Sequence, residues 1–293
     1  MNRILKIILI VIGGLAALVV ILAVSLYLVG SSRLKNAPEI AVQSVQIPTD
    51  AEALARGEHL AHSVSGCAGC HGENLGGAVF IDEQPIGYVA APNLTAGTGG
   101  IGGTYTNEDW FRAIRHGVAG DGRTLTFMPS NRLAALSDSD LGAIIAYVQT
   151  VPPVDNDMGK PEYAFVGTLI FGVMGYGSMP VNVIDHEAVG GSGPVEGVTV
   201  EYGDYLAHIA VCQDCHGTEF AGQTDPNAPQ GPDLTPGGAL GSWSEDDFMN
   251  LIRTGTKPDG SQVSEEMPWQ FYRNMTDEEL QAIWLYLQSL PAN

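Results

Sequence analysis

All four cysteines of the chain lie in two short segments of the same design. The segments read Cys67-Ala68-Gly69-Cys70-His71 and Cys212-Gln213-Asp214-Cys215-His216. Two thiols on one helical turn can each bond a vinyl group of the same haem, and the histidine that follows can reach the iron. The pattern therefore predicts two covalently bound haem c groups. No cysteine remains for a structural disulfide.

A single segment of this kind also suits a zinc site or a thiol redox pair. A structural zinc site needs four protein ligands, and neither segment has a second Cys or His pair at a suitable spacing nearby. A thioredoxin-like pair belongs in a strand-helix-strand setting, whereas the surroundings here are rich in glycine. Because the segment occurs twice in a chain that also carries a long apolar run, haem is the better interpretation of both copies.

The residues around the two segments repeat in the same order. Gly57-Glu58-His59-Leu60-Ala61-His62 precedes the first segment, and Gly203-Asp204-Tyr205-Leu206-Ala207-His208 precedes the second. Pro92-Asn93-Leu94-Thr95 then matches Pro232-Asp233-Leu234-Thr235, and the run 106–117 matches 244–255. Met128-Pro129 and Met267-Pro268 come next in each copy. This order indicates a duplicated domain.

A methionine at one fixed place in each repeat, on a loop stiffened by proline, is what a thioether ligand to iron requires. We therefore expect His71 and Met128 to bind one iron, and His216 and Met267 the other. An iron with both axial positions filled has no place for a substrate. The pattern thus predicts a protein that transfers single electrons.

Other residues compete for these roles. His62 and His208 also match between the repeats and could give bis-histidine haems, but they precede the cysteines on the expected entry helix, behind the open face of the iron. Met174, Met179 and Met275 lie outside the Met-Pro register, so we interpret them as packing residues. Apolar side chains at helical spacing (Leu280, Ile283, Trp284 and Leu287) predict one buried face on the last helix.

The order of these features resembles class I c-type cytochromes over about residues 57–153 and 203–293. In that family a proline carbonyl accepts the ring N–H of the ligand histidine, and Pro92 and Pro232 occupy the matching positions. The resemblance is closest to bacterial dihaem and multihaem cytochromes, including the cytochrome subunits of membrane-bound alcohol dehydrogenases. It implies an all-α fold: an N-terminal transmembrane helix followed by two tandem class I cytochrome c domains. Many relatives carry a third haem that this chain lacks, which leaves the partner enzyme open.

An uncharged run from Ile7 to Val29 can form about 34 Å of helix, enough to cross a hydrocarbon core of about 30 Å. A cleavable signal peptide has a shorter apolar core and an Ala-x-Ala-like site, so we expect an uncleaved single-pass anchor in the cytoplasmic membrane. The basic residues on its two sides do not set the orientation. The resemblance does, since the family attaches haem outside the cytoplasm, and it implies periplasmic haem domains.

These features divide the chain into an anchor (1–35), a linker (36–50), a first cytochrome c domain (51–153), a connector (154–198) and a second domain (199–293). Ser137 with Asp140, and Thr276 with Glu279, resemble capping boxes that open the closing helices. The connector contains an uncharged stretch, 164–181, whose glycines make it a poor membrane span. We expect this stretch to pack against the haem domains or lie at the membrane surface. A docking patch for a partner subunit is the alternative.

The composition is acidic, with 13 Lys and Arg against 33 Asp and Glu. Such a field repels nucleic acid, so no nucleic-acid partner is expected, and it steers a basic patch of a protein partner, unless it serves only solubility. We expect a dehydrogenase or a quinol-oxidising complex as electron donor and an oxidase or a soluble cytochrome as acceptor. The alternative function is that of a dihaem enzyme, either a peroxidase or a thiosulfate-oxidising cytochrome.

Overall fold

A computed structural model describes residues 2–43, 45–226 and 228–292 of the chain. Its α-helices are α1 (Arg3–Lys35), α2 (Ala51–His59), α3 (Cys67–His71), α4 (Asn107–His116), α5 (Ser130–Leu133), α6 (Asp138–Thr150), α7 (Phe165–Leu169), α8 (Pro180–Val183), α9 (Val200–Ile209), α10 (Cys212–His216), α11 (Glu245–Thr254), α12 (Trp269–Tyr272) and α13 (Asp277–Ser289). Short π-helical turns cover Leu60–Val64 and Ile170–Met174, and 3₁₀ turns cover Tyr176–Ser178 and Ala239–Ser242. The strands are β1 (Ala78–Glu83), β2 (Gly87–Ala91) and β3 (Glu162–Tyr163).

Most of the N-terminal helix α1 stands apart from the core of the protein. Among the described residues it is the one helix long and apolar enough to cross a membrane, and its apolar side chains are mostly exposed except toward its C-terminal end, where Leu34 is buried. The side chain of Asn2 caps its start by accepting a hydrogen bond from the Ile4 N–H. The expected long apolar N-terminal helix is therefore present.

Each repeat is built around one close helix crossing. In the first repeat (51–153), α2 packs on α6 at Gly57, where a Cβ atom would overlap the backbone of Ala143. In the second repeat (199–293), α9 packs on α13 at Gly203, where a Cβ atom would overlap the backbone of Ala282. Only glycine permits so close an approach of two backbones. The predicted buried face of α13 is confirmed, since Leu280 and Leu287 are among its buried residues.

One of the two predicted capping boxes forms completely. At the start of α13, Thr276 accepts from the Glu279 N–H and the Glu279 carboxylate accepts from the Thr276 N–H. At the start of α6, Ser137 accepts from the Asp140 N–H, but the Asp140 carboxylate binds Arg56 and Tyr205 instead of closing the box. The second half of the box is therefore replaced by a tertiary contact.

The chain is mostly helical, as predicted, but the first repeat also carries a small sheet. Strands β1 and β2 form an antiparallel hairpin, and β3 from the connector pairs with β2 through Gly87 and Tyr88. The β1–β2 hairpin lies in the chain between the first attachment turn and the segment that contains Pro92. In the described part of the second repeat, only an isolated bridge between Ala221 and Asp233 occupies the corresponding stretch.

The two repeats pack against each other through equivalent residues. Arg132, four positions after Met128, donates a 2.7 Å hydrogen bond from Nε to Asp214 of the second attachment turn. Phe271, four positions after Met267, lies against Gly69 of the first attachment turn, where a Cβ atom would be 3.1 Å from the ring. Reciprocal use of the same positions is characteristic of an isologous interface. The repeats are therefore related by an approximate twofold axis.

The connector returns along the first repeat and meets the end of α1. Leu34, Val118, Met179 and Val181 form a small apolar cluster there, and the Thr124 N–H donates a 3.1 Å hydrogen bond to the Leu34 carbonyl. Met179 is buried, as expected of a packing residue. For Met174 that expectation is wrong, because its side chain is 81% exposed at the end of a short apolar helix that leaves it facing outward.

Candidate haem-attachment sites

The first attachment turn is entered and left through glycines in conformations with positive φ. Gly66 (φ 65°) precedes Cys67, and Gly72 (φ 79°, ψ 157°) follows His71. Other residues rarely adopt such angles, so these glycines let the chain bend sharply at both ends of the short helix. Cys67 and Cys70 lie on its single turn, as the spacing predicted.

The ligand histidine of this turn is held through its other ring nitrogen. His71 Nδ1 lies 2.8 Å from the Pro92 carbonyl oxygen. A carbonyl can only accept, so the proton is on Nδ1, and Nε2 keeps a free lone pair for a metal. Burial lowers the pKa of His71, and the hydrogen bond to Pro92 offsets this only in part. The lowered pKa favours the neutral ring that a metal requires.

The second attachment turn has the same geometry with one exception. His216 Nδ1 lies 2.8 Å from the Pro232 carbonyl oxygen, and Gly217 (φ 81°) leaves the turn as Gly72 does. The residue that enters the turn is Val211, with φ 62°, where the first repeat has a glycine. A β-branched residue is uncommon in this conformation, so the surrounding structure must hold it there.

A further pair of residues positions the two prolines, and sequence reasoning missed it. Leu75 (φ 54°) and Phe220 (φ 58°), each five positions after the second cysteine, are fully buried with positive φ. Their carbonyls accept 2.8 Å hydrogen bonds from the N–H groups of Leu94 and Leu234, which follow the two prolines closely. These bonds tie the proline segment to the attachment turn. The repeat register, with an apolar residue at that position in both copies, was the available signal.

Each attachment turn lines a mostly apolar cavity that also contains the expected methionine. The first cavity, of about 120 Å³, is lined by Cys67, Cys70, His71, Pro92 and Met128 among others. The second, of about 490 Å³, is lined by Cys212, Cys215, His216, Pro232 and Met267 among others. The structure thus brings all ten expected site residues together, five in each repeat. Met275, interpreted as a packing residue, also lines the second cavity and is buried.

The competing histidines lie elsewhere. His62 Nε2 is 2.8 Å from the Tyr147 hydroxyl on α6, and His208 Nδ1 is 2.8 Å from the Asp204 carbonyl on its own helix. Neither residue lines either of the two cavities. His62 therefore ties the entry segment to α6, whereas the hydrogen bond of His208 stays within α9.

The pKa values of the cysteines do not suit a thiol redox pair. Burial, with a smaller contribution from the neighbouring cysteine, raises the pKa of Cys67 and of Cys212 to about 12. Reactive cysteines have a lowered pKa and an exposed thiolate. Within the described residues no group of three or more His, Cys, Asp or Glu side chains is placed to hold a metal ion. The donors present are instead those of haem c: two thiols on one turn, a neutral imidazole and a thioether facing one apolar cavity.

Family comparisons agree with this chemistry. Residues 52–148 match the family described as cytochrome C oxidase, cbb3-type, subunit III, and residues 200–291 match the family described as cytochrome c. Both repeats are therefore cytochrome c domains, and each carries one attachment turn. The chain is a dihaem c-type cytochrome of class I, with two covalently bound haem c groups.

Individual relatives are cytochrome subunits of dehydrogenases. The chain is 28% identical over 277 residues to the fructose dehydrogenase cytochrome subunit of Gluconobacter japonicus, covering 84% of this chain and 55% of the relative. It is 29% identical over 279 residues to the alcohol dehydrogenase (quinone) cytochrome c subunit of Komagataeibacter europaeus, covering 83% and 57%. For the gluconate 2-dehydrogenase cytochrome c subunit of Pantoea cypripedii, the identity is 28% and the coverage 81% and 59%. The chain thus spans somewhat more than half the length of these relatives.

Proposed function

We propose that this protein is a membrane-anchored cytochrome that passes single electrons between redox partners on the periplasmic side of the cytoplasmic membrane. The observation that carries the proposal is that one cavity in each repeat is lined by the same donors: two cysteines, a histidine and a methionine. When bound, haem c supplies an iron that gains and loses one electron. The haem domains comprise residues 51–153 and 199–293, with the connector 154–198 between them.

In this proposal His71 and Met128 would hold the iron of one haem, and His216 and Met267 would hold the iron of the other. The hydrogen bonds to Pro92 and Pro232 hold each imidazole in one tautomer and one orientation. A thioether as the second ligand raises the reduction potential relative to two histidines. The cysteine pairs fix the group covalently, so it stays in place in both oxidation states.

The walls of the cavities support transfer rather than catalysis. Trp110, Leu133 and Ile144 belong to the buried core and line the first cavity, and Phe248, Leu251 and Ile283 do so in the second. Apolar walls keep water away from the metal and lower the reorganisation that accompanies a change of charge. If a histidine and a methionine both hold each iron, neither site would offer a position to a substrate. We therefore assign this chain the role of electron-transfer protein, not of enzyme.

The partners follow from the relatives and from α1. The relatives named above are subunits of dehydrogenases, which supports a dehydrogenase as the electron donor. A quinol-oxidising complex is the other donor class, and an oxidase or a soluble cytochrome is the acceptor. In this proposal the anchor, residues 1–35, crosses the membrane once through helix α1. Residues 36–50 link the anchor to the haem domains on the periplasmic side of the membrane. The acidic surface favours a partner with a basic docking patch.

A redox titration of ligand variants tests the assignment. Met128→His and Met267→His should each lower one reduction potential and leave the other nearly unchanged. The second cavity offers a matched control, because Met267 and Met275 both line it. Met267→Leu should abolish the sulfur-to-iron absorption band of that haem, and Met275→Leu should leave it intact. Loss of the band in Met275→Leu but not in Met267→Leu would show that Met275, and not Met267, is the ligand. Rapid cyanide binding by the unaltered oxidised protein would contradict an iron with no free ligand position.

A further inference from the structure

The uncharged part of the connector lies along the last turns of the membrane helix. The rings of Tyr27 on α1 and Phe165 on α7 stack with centroids 5.8 Å apart. At Gly30 a Cβ atom would lie 2.8 Å from the Thr168 carbonyl oxygen. At Gly172 a Cβ atom would lie 2.4 Å from the Gly30 carbonyl oxygen, so only glycine fits at either position. Such small-residue contacts let two helices touch directly. Residues 164–181, called the connector segment below, are thus fastened to α1.

The contacts with α1 fix the depth of the connector segment. The apolar run of α1 ends at Val29 and the first charged residue after it is Arg33, so in a spanning helix the residues from Tyr27 to Gly30 lie near the edge of the hydrocarbon core. Phe165 is at the level of Tyr27. Arg33 lies about 5 Å farther along the helix axis than Gly30. Its guanidinium is 4.8 Å from the centre of the Tyr176 ring. The connector segment therefore occupies the layer where lipid headgroups begin.

The outer side of the connector segment is apolar and uncovered. Phe165 is 46% exposed, Ile170 37% and Met174 81%. No residue from 164 to 181 is charged. The segment lies against α1, whose exposed side chains are also apolar, and neighbouring exposed apolar side chains of this kind mark a membrane or protein contact. Aromatic residues beside an arginine are also typical of a membrane interface.

We propose that the connector segment is a second membrane contact, in which its helical part, Phe165–Met174, lies in the headgroup layer beside α1. This inference rests on the proposed membrane-spanning role of α1. A single helix leaves the attached domain free to tilt and rotate, whereas a second contact limits both. The chain has an acidic surface, and Glu162 precedes the connector segment, so the contact suits uncharged headgroups and relies on apolar burial.

The second contact also orients the first cavity. Phe171 of the connector segment packs on Phe127, with centroids 5.2 Å apart, and Phe127 packs on Phe80 at 6.3 Å. Phe80 and Phe127 are partly exposed and line the first cavity. The aromatic row therefore connects the mouth of this cavity with the membrane contact. With the connector segment in the headgroup layer, the first cavity opens beside the bilayer.

Photocrosslinking to lipid tests the contact in the full-length, haem-loaded protein. The probe is p-benzoylphenylalanine, placed singly at Met174, Leu18 or Val195 in protein reconstituted into phosphatidylcholine nanodiscs. Leu18 lies in the middle of α1 and reports on the anchor. Val195 is the matched control. It is an apolar residue of the connector (154–198) and is 87% exposed, but it lies outside the connector segment (164–181). The proposal expects lipid adducts at Leu18 and Met174 and only background at Val195.

The three positions separate the two proposals. Adducts at Leu18 without adducts at Met174 would overturn the second contact while α1 still spans. Equal lipid labelling at Met174 and Val195 would also overturn it, because it would show only general exposure. Adducts at Met174 without adducts at Leu18 would support the second contact and contradict the proposal that α1 spans the membrane. Crosslinks from Met174 to another protein molecule in place of lipid would mean that the surface is a docking patch.

Discussion

Arg56 and Tyr202 occupy the same position in the two repeats, and Arg56 Nη2 donates a 3.2 Å hydrogen bond to the Tyr202 hydroxyl. Equivalent residues meet in this way on the axis of an isologous interface. Arg56 also binds the carboxylates of Asp140, at 3.0 Å and 3.2 Å, and of Glu279, at 3.2 Å. Both carboxylates are buried, with 8% and 3% exposure. Arg56 thus bridges two buried carboxylates at the domain interface, and His59, 2.7 Å from Glu279, assists it there.

Removal of the Arg56 cation is expected to destabilise the folded protein. In Arg56→Ala both carboxylates stay buried with less compensation, which typically destabilises by about 3 to 5 kcal/mol. The measurement is the shift of the urea unfolding midpoint of the haem-loaded, detergent-solubilised chain. Arg112→Ala is the control, because Arg112 pairs with the exposed Glu108 on its own helix and such pairs contribute about 0.3 to 0.5 kcal/mol. Equal shifts in the two variants would contradict the central role of Arg56.

The interface should also weaken in acid. Burial alone would raise the pKa of Glu279, but the hydrogen bond and charge of His59, the Thr276 N–H and Arg56 lower it below its ordinary value of 4.5. A carboxylate with a lowered folded-state pKa stabilises the folded state above its unfolded pKa, and this contribution is lost as the pH falls through the folded value. Stability should therefore drop below about pH 4.5.

Glu279→Gln separates this effect from other carboxylates. The variant removes the titrating group while it keeps the size of the side chain. Its stability at pH 7 should be lower than that of the unaltered protein, and its loss of stability between pH 5 and pH 3 should be smaller. Parallel pH profiles for the two proteins, measured by thermal unfolding, would show that Glu279 does not carry the acid sensitivity.

A methyl group at the helix crossing of the second domain should disrupt its packing. In Gly203→Ala the new Cβ atom overlaps the Ala282 backbone, so α9 must move away from α13. Overpacking of this kind costs typically about 1 to 3 kcal/mol. Thermal unfolding followed by circular dichroism measures the loss, and Gly177→Ala serves as control because a Cβ atom there meets nothing within 4 Å. Gly57→Ala should give a similar loss in the first domain, since Gly57 meets Ala143 in the same way.

Local patterns sufficed for the elements that lie close together in the chain. The two attachment turns, the buried face of α13 and the Thr276 cap depend on residues within one or two helical turns of each other. Comparison of the repeats added Met128 and Met267 to the predicted site, and the structure places each of them in a cavity with its attachment turn. It could also have revealed Leu75 and Phe220, whose positive φ has no signature in a single copy.

Contacts between distant segments were beyond the reach of such patterns. Strand β3 has two residues, Glu162 and Tyr163, and is a strand only because β2 lies beside it. Arg132 and Asp214 are 82 positions apart, and each alone reads as an ordinary surface charge. Asp140 fits a capping box by sequence, but the second domain supplies Tyr205 as a stronger partner for its carboxylate. Tertiary contacts decided each of these cases.

The connector is fastened to the first domain by a pair of histidines. His116, at the end of α4, lies with its Nδ1 2.9 Å from Nδ1 of His186. His186 Nε2 lies 2.9 Å from the Val181 carbonyl and must donate to it, so His186 Nδ1 is the acceptor and His116 Nδ1–H the donor. The bond cannot form with a hydrogen on both Nδ1 atoms. The bond is therefore lost when both rings are protonated, and a proton on His116 alone places a charge in its buried position.

Acidification should loosen this contact before it affects the domain core. Burial, His186, Arg115 and Arg112 together lower the pKa of His116 to about 4 from its ordinary 6.5. A base with a lowered folded-state pKa stabilises fully above its unfolded pKa, so the contribution is complete above pH 6.5 and declines as the pH falls toward 4. Amide hydrogen exchange of residues 182–189, corrected for the intrinsic rate, should be several-fold faster relative to pH 7 when measured at pH 5.

The His116→Gln variant provides the decisive comparison for the histidine pair. Its side chain can still donate a hydrogen bond to His186 Nδ1, but it has no proton to gain at that end of the pair. Exchange in residues 182–189 should therefore depend less on pH than in the unaltered protein, while exchange in α13 should be the same in both. If the variant and the unaltered protein respond equally to pH, His186 or a more distant group governs the connector, and His116 serves only to fill the space beneath it.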